Sequence, residues 1–228
     1  MKIPTGVKYI IGIDEAGRGP LAGPVAVGVC LVSAEMTRKS LLAQVARFAK
    51  SESEKSGLKK LNDSKKLSVE KREMWFAQMC EMQKVKDKTE KSKAFDFSVT
   101  LISNKIIDKR GLSFAIKKAM SDSLKKLQQT VHFKPSECLV LLDGGLRAPA
   151  EFIFQKTIIK GDEKEFAISL ASIAAKVTRD AHMRKLAKKY PKYSFEIHKG
   201  YGTSKHIAAI KKEGITPTHR RSFLKNII

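Results

Sequence analysis

Gly12-Ile13-Asp14-Glu15-Ala16-Gly17-Arg18-Gly19-Pro20 is the stretch that decides how this chain is read. Its first residues close an apolar run, Tyr9 to Ile13, that reads as a buried strand. Two acids follow, and then a turn punctuated by glycine and proline. Gly23-Pro24 gives a second turn signal, and Val25 to Val32 is another β-branched run. Two such runs around a glycine- and proline-rich turn predict an antiparallel hairpin opening the domain.

Beyond the hairpin, Leu41, Leu42, Val45, Ala46 and Ala49 stand at helical spacing and lead into a polar connector over 51–57. Ser68 is placed to cap a helix through about Lys84, with Trp75, Met79 and Met82 on one face. A strand is predicted over Phe95 to Ile102, and a strongly apolar helical stripe runs from Leu112 to Leu127. Leu139 to Leu142 reads as a short buried strand ending at Asp143-Gly144-Gly145, and Phe152 to Ile159 as another strand. A long helix from Glu165 to about Tyr190 stops at Pro191, and a short one is predicted near Lys205 to Lys212. Strands first, then strands and helices mixed, predict an α/β protein with a mixed β-sheet. No internal repeat or composition break divides residues 1–228, so one domain is expected.

The net charge is +22, from 45 Lys and Arg against 23 Asp and Glu. From Lys176 to Ile228 there are fourteen Lys or Arg and three acids. Such an excess favours a polyanionic partner, nucleic acid before an anionic membrane surface. No apolar run reaches the ~18 residues of a membrane span, and no cationic amphipathic anchor stands out. Cys30, Cys80 and Cys138 are odd in number and widely spaced. They read as thiols in a reducing compartment, so a cytoplasmic protein is expected.

Three acidic positions resist explanation as solubilising charge. Asp14 and Asp143 each follow an apolar strand. Asp180 lies three residues after Val177 and seven after Ile173, on the apolar side of its helix. A buried carboxylate must be paired or protonated. Acids at strand ends and on a helix can converge at a sheet edge, where their hard oxygens suit Mg²⁺ or Mn²⁺. A two-ion site of that kind supports in-line phosphoryl displacement. Plainer roles stay open for each: a turn at Asp143-Gly144, a helix ion pair for Asp180, a turn cap for Asp14. Glu15 shares a site with Asp14 only if the chain bends, because side chains alternate along a strand.

Gly12 to Val25 closely resembles the opening signature of the type 2 ribonucleases H, specifically the prokaryotic ribonuclease HII group. Further blocks follow in the family's order: 62–67 (NDSKKL), 142–144 (LDG), 160–162 (KGD), 171–180 (ASIAAKVTRD), 198–203 (HKGYGT) and 217–223 (PTHRRSF). The resemblance implies a ribonuclease H-like fold, a mixed sheet flanked by helices, here with a basic C-terminal segment over 191–228. It implies that Asp14, Glu15, Asp143 and Asp180 are the catalytic, metal-holding acids of a two-ion Mg²⁺ or Mn²⁺ site. It implies that Gly17, Arg18 and Gly19 read the ribose 2′-hydroxyl, the group that separates RNA from DNA. Tyr201 matches the tyrosine that stacks near the sugar; its plainer role is core packing. Ser64 and Lys65 match phosphate contacts.

The implied activity is endonucleolytic: hydrolysis of the RNA strand of RNA–DNA hybrids, and cleavage 5′ of ribonucleotides embedded in duplex DNA, leaving 3′-hydroxyl and 5′-phosphate ends. A monomer acting on nucleic acid without a membrane is expected. Residues 34–61 form a longer connector than the family pattern has and read as an inserted helix and loop. A ribonuclease HIII-like enzyme and a non-catalytic binder of structured nucleic acid are the alternatives.

Overall fold

The computed structural model describes residues 3–46, 67–84, 95–225 and 227. The readings made for 47–61, for Ser64 and Lys65, and for the rest of the 62–66 block lie outside the described residues.

The hairpin forms as predicted. Strand β1 (Tyr9–Ala16) pairs antiparallel with β2 (Val25–Ser33), and β2 with β3 (Phe95–Ile102). On its other side β1 pairs in parallel with β4 (Cys138–Asp143), which pairs in parallel with β5 (Phe154–Ile158). The result is a five-stranded mixed sheet in the order β3-β2-β1-β4-β5. Two expectations shift. β1 runs on through Asp14 and Glu15 to Ala16, because both acids keep their register opposite Gly28 and Val27. β5 begins at Phe154, because the N–H of Phe152 turns back to the carbonyl of Pro149.

Both faces of the sheet are covered. On one lie α1 (Arg38–Ala46), α2 (Val69–Lys84) and the long helix α6 (Phe166–Lys189). On the other lie α3 (Asn104–Arg110) and α4 (Leu112–Val131). The short helix α5 spans Gly161–Lys164. Trp75, Met79 and Met82 are buried together, as their spacing predicts, and Ser68 Oγ accepts from the N–H of Lys71 to cap their helix. Ala115, Ile116, Ala119, Leu124 and Leu127 of α4 are buried against the strands. Each large apolar side chain removed from water in this way contributes about 1.5–3 kcal/mol.

Helix α6 crosses the sheet unusually closely. A Cβ on Gly12 would lie 2.1 Å from the backbone of Ala167, and one on Gly28 2.2 Å from the carbonyl oxygen of Ala171. Only glycine permits that approach. It brings the α6 residues spaced by four, Ser172, Lys176 and Asp180, alongside the end of β1.

The basic tail is a packed unit. It carries α7 (Phe195–His198) and α8 (Ser204–Glu213). Tyr193, Phe195, Ile210 and Leu224 form a third core with Leu21, Ala22 and Met183. No helix among the described residues is long and apolar enough to cross a membrane.

Candidate active site

The parallel pairing of β1 and β4 sets the first two acids side by side. Ile13 is in register with Leu142, so Asp14 and Asp143 are the next residues on neighbouring strands at the same end of the sheet. Residues in register on adjacent strands project to the same face. A cleft of about 490 Å³ opens there, lined by residues that include Asp14, Glu15, Asp143, Ser172, Lys176 and Tyr201. Residues 17–19 and Arg72 complete its wall. Glu15, the next residue of β1 and close to the turn at Gly17, lines the same cleft as Asp14. Asp180, buried at 5%, does not line the cleft; it is joined to it through Lys176, whose Nζ lies 2.8 Å from both of its carboxylate oxygens.

The charges in this cleft are strained. Asp14 is only 3% exposed. Burial pushes its carboxyl up to about 7; the Ser172 hydroxyl opposes that shift, and the charges of Glu15 and Asp143 add to it. Glu15 Oε1 accepts from Arg18 at 3.0 Å, but Glu15 Oε2 is buried without a hydrogen-bond partner among the described residues. Asp143 Oδ1 accepts from the N–H of Gly161 at 2.8 Å, which ties the 160–162 block to the site. Asp14 is buried and Glu15 and Asp143 are half-buried, and their carboxylate oxygens are hard donors of the kind Mg²⁺ and Mn²⁺ take. As they stand, these acids are held by Arg18, Gly161, Lys176 and Ser172. Among the described residues no group of three or more His, Cys, Asp or Glu is arranged to hold a metal ion.

Gly17 ends β1 at φ 89°, and a Cβ there would lie 2.1 Å from Arg179 Nε. Only glycine meets both demands. Gly19 faces the Tyr201 ring, and among the described residues nothing else lies within 4 Å of a would-be Cβ. Tyr201 is 42% exposed, which rules out the core-packing role. Beneath the turn lie two fully buried arginines. Arg220 donates to the carbonyls of Gly17, Arg18 and Gly23, and Arg179 to those of Ala22, Pro24 and Lys199. Burial pushes Arg220 down to about 9, with Arg179 adding to the shift, so its guanidinium stays charged at neutral pH.

Four residues of this region have no signal that sequence reasoning caught. Arg72 lines the cleft and donates to the carbonyl of Leu67. Ser172 and Arg179 lie inside the 171–180 block, where only Asp180 stood out. Arg220 reads as one more cation of the tail. His198 and His219, which fall in the 198–203 and 217–223 blocks, are buried with His206 in one cluster of rings.

Solved structures with this architecture exist. The ribonuclease H2 of Pyrococcus horikoshii OT3 superposes with a TM-score of 0.64 at 24% identity, covering 96% of each chain. Bst-RNase HIII, solved in complex with Mn²⁺, does so with a TM-score of 0.58 at 17% identity, covering 92% of this chain and 64% of that one. The mixed sheet flanked by helices is therefore a ribonuclease H-like fold.

The sequence narrows this further. The family profile described as Ribonuclease HII matches residues 11–226. The Ribonuclease HII of Ruminiclostridium cellulolyticum is 39% identical over 226 residues, 99% of this chain and 74% of that relative. The chain belongs to the ribonuclease HII family, and it is a hydrolase of the ribonuclease H kind.

Proposed function

We propose that this nuclease cuts the RNA strand of RNA–DNA hybrids and the 5′ side of single ribonucleotides in duplex DNA. The products are 3′-hydroxyl and 5′-phosphate ends. The observation that carries the reading is one cleft in which Asp14, Glu15 and Asp143 share walls with residues 17–19 and Tyr201. A device that tells ribose from deoxyribose lies beside acids able to hold a divalent cation.

In this reading Asp14, Glu15, Asp143 and Asp180 hold two Mg²⁺ or Mn²⁺ ions. Such ions, when bound, neutralise phosphate charge and lower the pKa of water. Gly17, Arg18 and Gly19 bring bare backbone to the 2′-hydroxyl, since a side chain at Gly19 would fill the gap before the Tyr201 ring. Tyr201 offers its exposed ring to the sugar or base. Arg18, Arg72 and Lys176 supply positive charge at the cleft for backbone phosphates, and Ser64 and Lys65 match phosphate contacts in the family pattern. The basic tail adds charge that tracks phosphate without reading sequence. The Mn²⁺ complex of the related HIII structure agrees with the choice of ion.

The test is cleavage of a labelled duplex carrying one ribonucleotide, with Mg²⁺ or Mn²⁺, with EDTA, and with Asp143→Asn. Cutting that disappears in EDTA and in the variant supports the reading. Binding without cutting in either metal supports a non-catalytic nucleic-acid binder instead.

A further inference from the structure

Arg179 and Arg220 are both 0% exposed. Among the described residues neither has a carboxylate in salt-bridge range. A buried cation held by carbonyls is uncommon, because the usual compensation is an acid, and Arg179 Nη1 has no hydrogen-bond partner among the described residues. Here the carbonyls all come from the ribose-reading turn and the chain that follows it, apart from Lys199. Arg220 Nη2 donates to Gly17 O at 2.7 Å, Nη1 to Arg18 O at 2.9 Å and Nε to Gly23 O at 3.0 Å. Arg179 holds Ala22 O at 3.3 Å and Pro24 O at 2.9 Å. The same stretch is stitched to the tail through its backbone: Leu21 N–H to Gly200 O, Gly23 N–H to Thr218 O, and Arg220 N–H to Leu21 O.

This arrangement fixes the outward face of the turn. In a trans peptide the C=O and the following N–H point in opposite directions. With Gly17 O and Arg18 O drawn down onto Arg220, the N–H groups of Arg18 and Gly19 point away from it. No described residue accepts a hydrogen bond from either. Both residues line the cleft. We infer that Arg220, braced by Arg179, is a positioning residue that sets the 17–19 turn in the one orientation able to discriminate ribose from deoxyribose. The inference rests on the proposed function and assigns its specificity to a side chain that does not touch the substrate. It also explains why the tail, some 200 residues along the chain, packs against the opening hairpin.

Arg220→Lys tests it. A lysine keeps the charge but lacks the planar fork that spans three diverging carbonyls. Two quantities are compared with the wild type: kcat and KM on a duplex with one ribonucleotide, and the affinity for the all-DNA duplex of the same sequence in EDTA. The expected result is a fall of about 30- to 100-fold in kcat/KM, mostly in kcat, with all-DNA affinity within about twofold. Cleavage within about threefold of wild type overturns the inference, as does an equal loss of cleavage and DNA affinity. Arg220→Met carries the same test should Arg220→Lys not fold by circular dichroism. If neither folds, the arginine is a folding residue and the inference falls. A wild-type protein that cuts no ribonucleotide-containing duplex refutes the functional reading itself, whereas wild-type cutting with unaltered variants refutes this inference alone.

Discussion

Lys176 Nζ lies 2.8 Å from Asp180 Oδ1 and 2.8 Å from Asp180 Oδ2, so the ammonium bridges the carboxylate from the cleft side. The ammonium stands where a divalent ion would also be drawn. Replacing Lys176 with Ala leaves a buried carboxylate without its cation. The metal-free Lys176→Ala protein is expected to lose about 1–3 kcal/mol in urea denaturation, the lysine being one-third exposed. Mg²⁺ should then restore more stability to the variant than it adds to the wild type. Equal gains would show that lysine and ion do not compete.

Asp14 makes a prediction of opposite sign. Its carboxyl is raised from 3.8 to about 7. A group raised on folding contributes stability below its unfolded pKa and loses it as pH rises through the folded one. At pH 8 without metal, Asp14→Asn is therefore expected to be more stable than wild type, by on the order of 2–4 kcal/mol, and inactive. The gap should close toward pH 4. Thermal melting from pH 4 to 8 reads it, and a variant no more stable at pH 8 would show that the charge is already compensated.

Tyr201 separates substrate contact from stability. Its ring is 42% exposed and faces Gly19, while its backbone carbonyl, not its side chain, accepts from His206 at 2.9 Å. Tyr201→Ala should change stability by no more than about 0.5 kcal/mol. It should reduce kcat/KM on a ribonucleotide-containing duplex by about 10- to 100-fold, the worth of one stacking contact. A large fall in melting temperature would return the tyrosine to a structural role.

The histidine cluster predicts acid sensitivity of the tail. His206 Nε2 lies 3.1 Å from His219 Nε2, and His198 stacks on His206 at 4.4 Å. Burial, with the charge of His206 next, pushes His219 from 6.5 down to about 4, and burial lowers His198 and His206 as well. A group lowered on folding gives stability that is present above pH 6.5 and is lost as pH falls toward 4. For His219, 2% exposed, the loss is about 3 kcal/mol. A His219→Gln protein should show a flatter stability profile between pH 7 and 4; an unchanged profile would place the proton uptake elsewhere.

The parts of the site that could be read from sequence are those with a local pattern. Asp14 and Asp143 stood out because each follows an apolar run, and Asp180 because it falls on the buried side of a helix. The parallel register of β1 and β4 brings Asp14 and Asp143 into one cleft, to which Asp180 is joined through Lys176. Glu15 was legible only through its neighbour and the family resemblance. The two buried arginines were not legible. Their partners are backbone carbonyls, which carry no side-chain pattern, and Arg220 lies far along the chain from the turn it holds. A guanidinium in a basic tail looks like a phosphate contact until its burial is known. β5 was placed two residues early because its exposed middle, Gln155 to Thr157, has no apolar alternation to fix its ends.

The most direct test of the account is the position of the cut in a duplex with a single ribonucleotide, mapped at nucleotide resolution with both ends chemically identified. The prediction is one break on the 5′ side of the ribonucleotide, with a 3′-hydroxyl and a 5′-phosphate, in Mg²⁺ or Mn²⁺, and none in the matching all-DNA duplex. Cleavage on the 3′ side, or equal cutting of the all-DNA duplex, would contradict it.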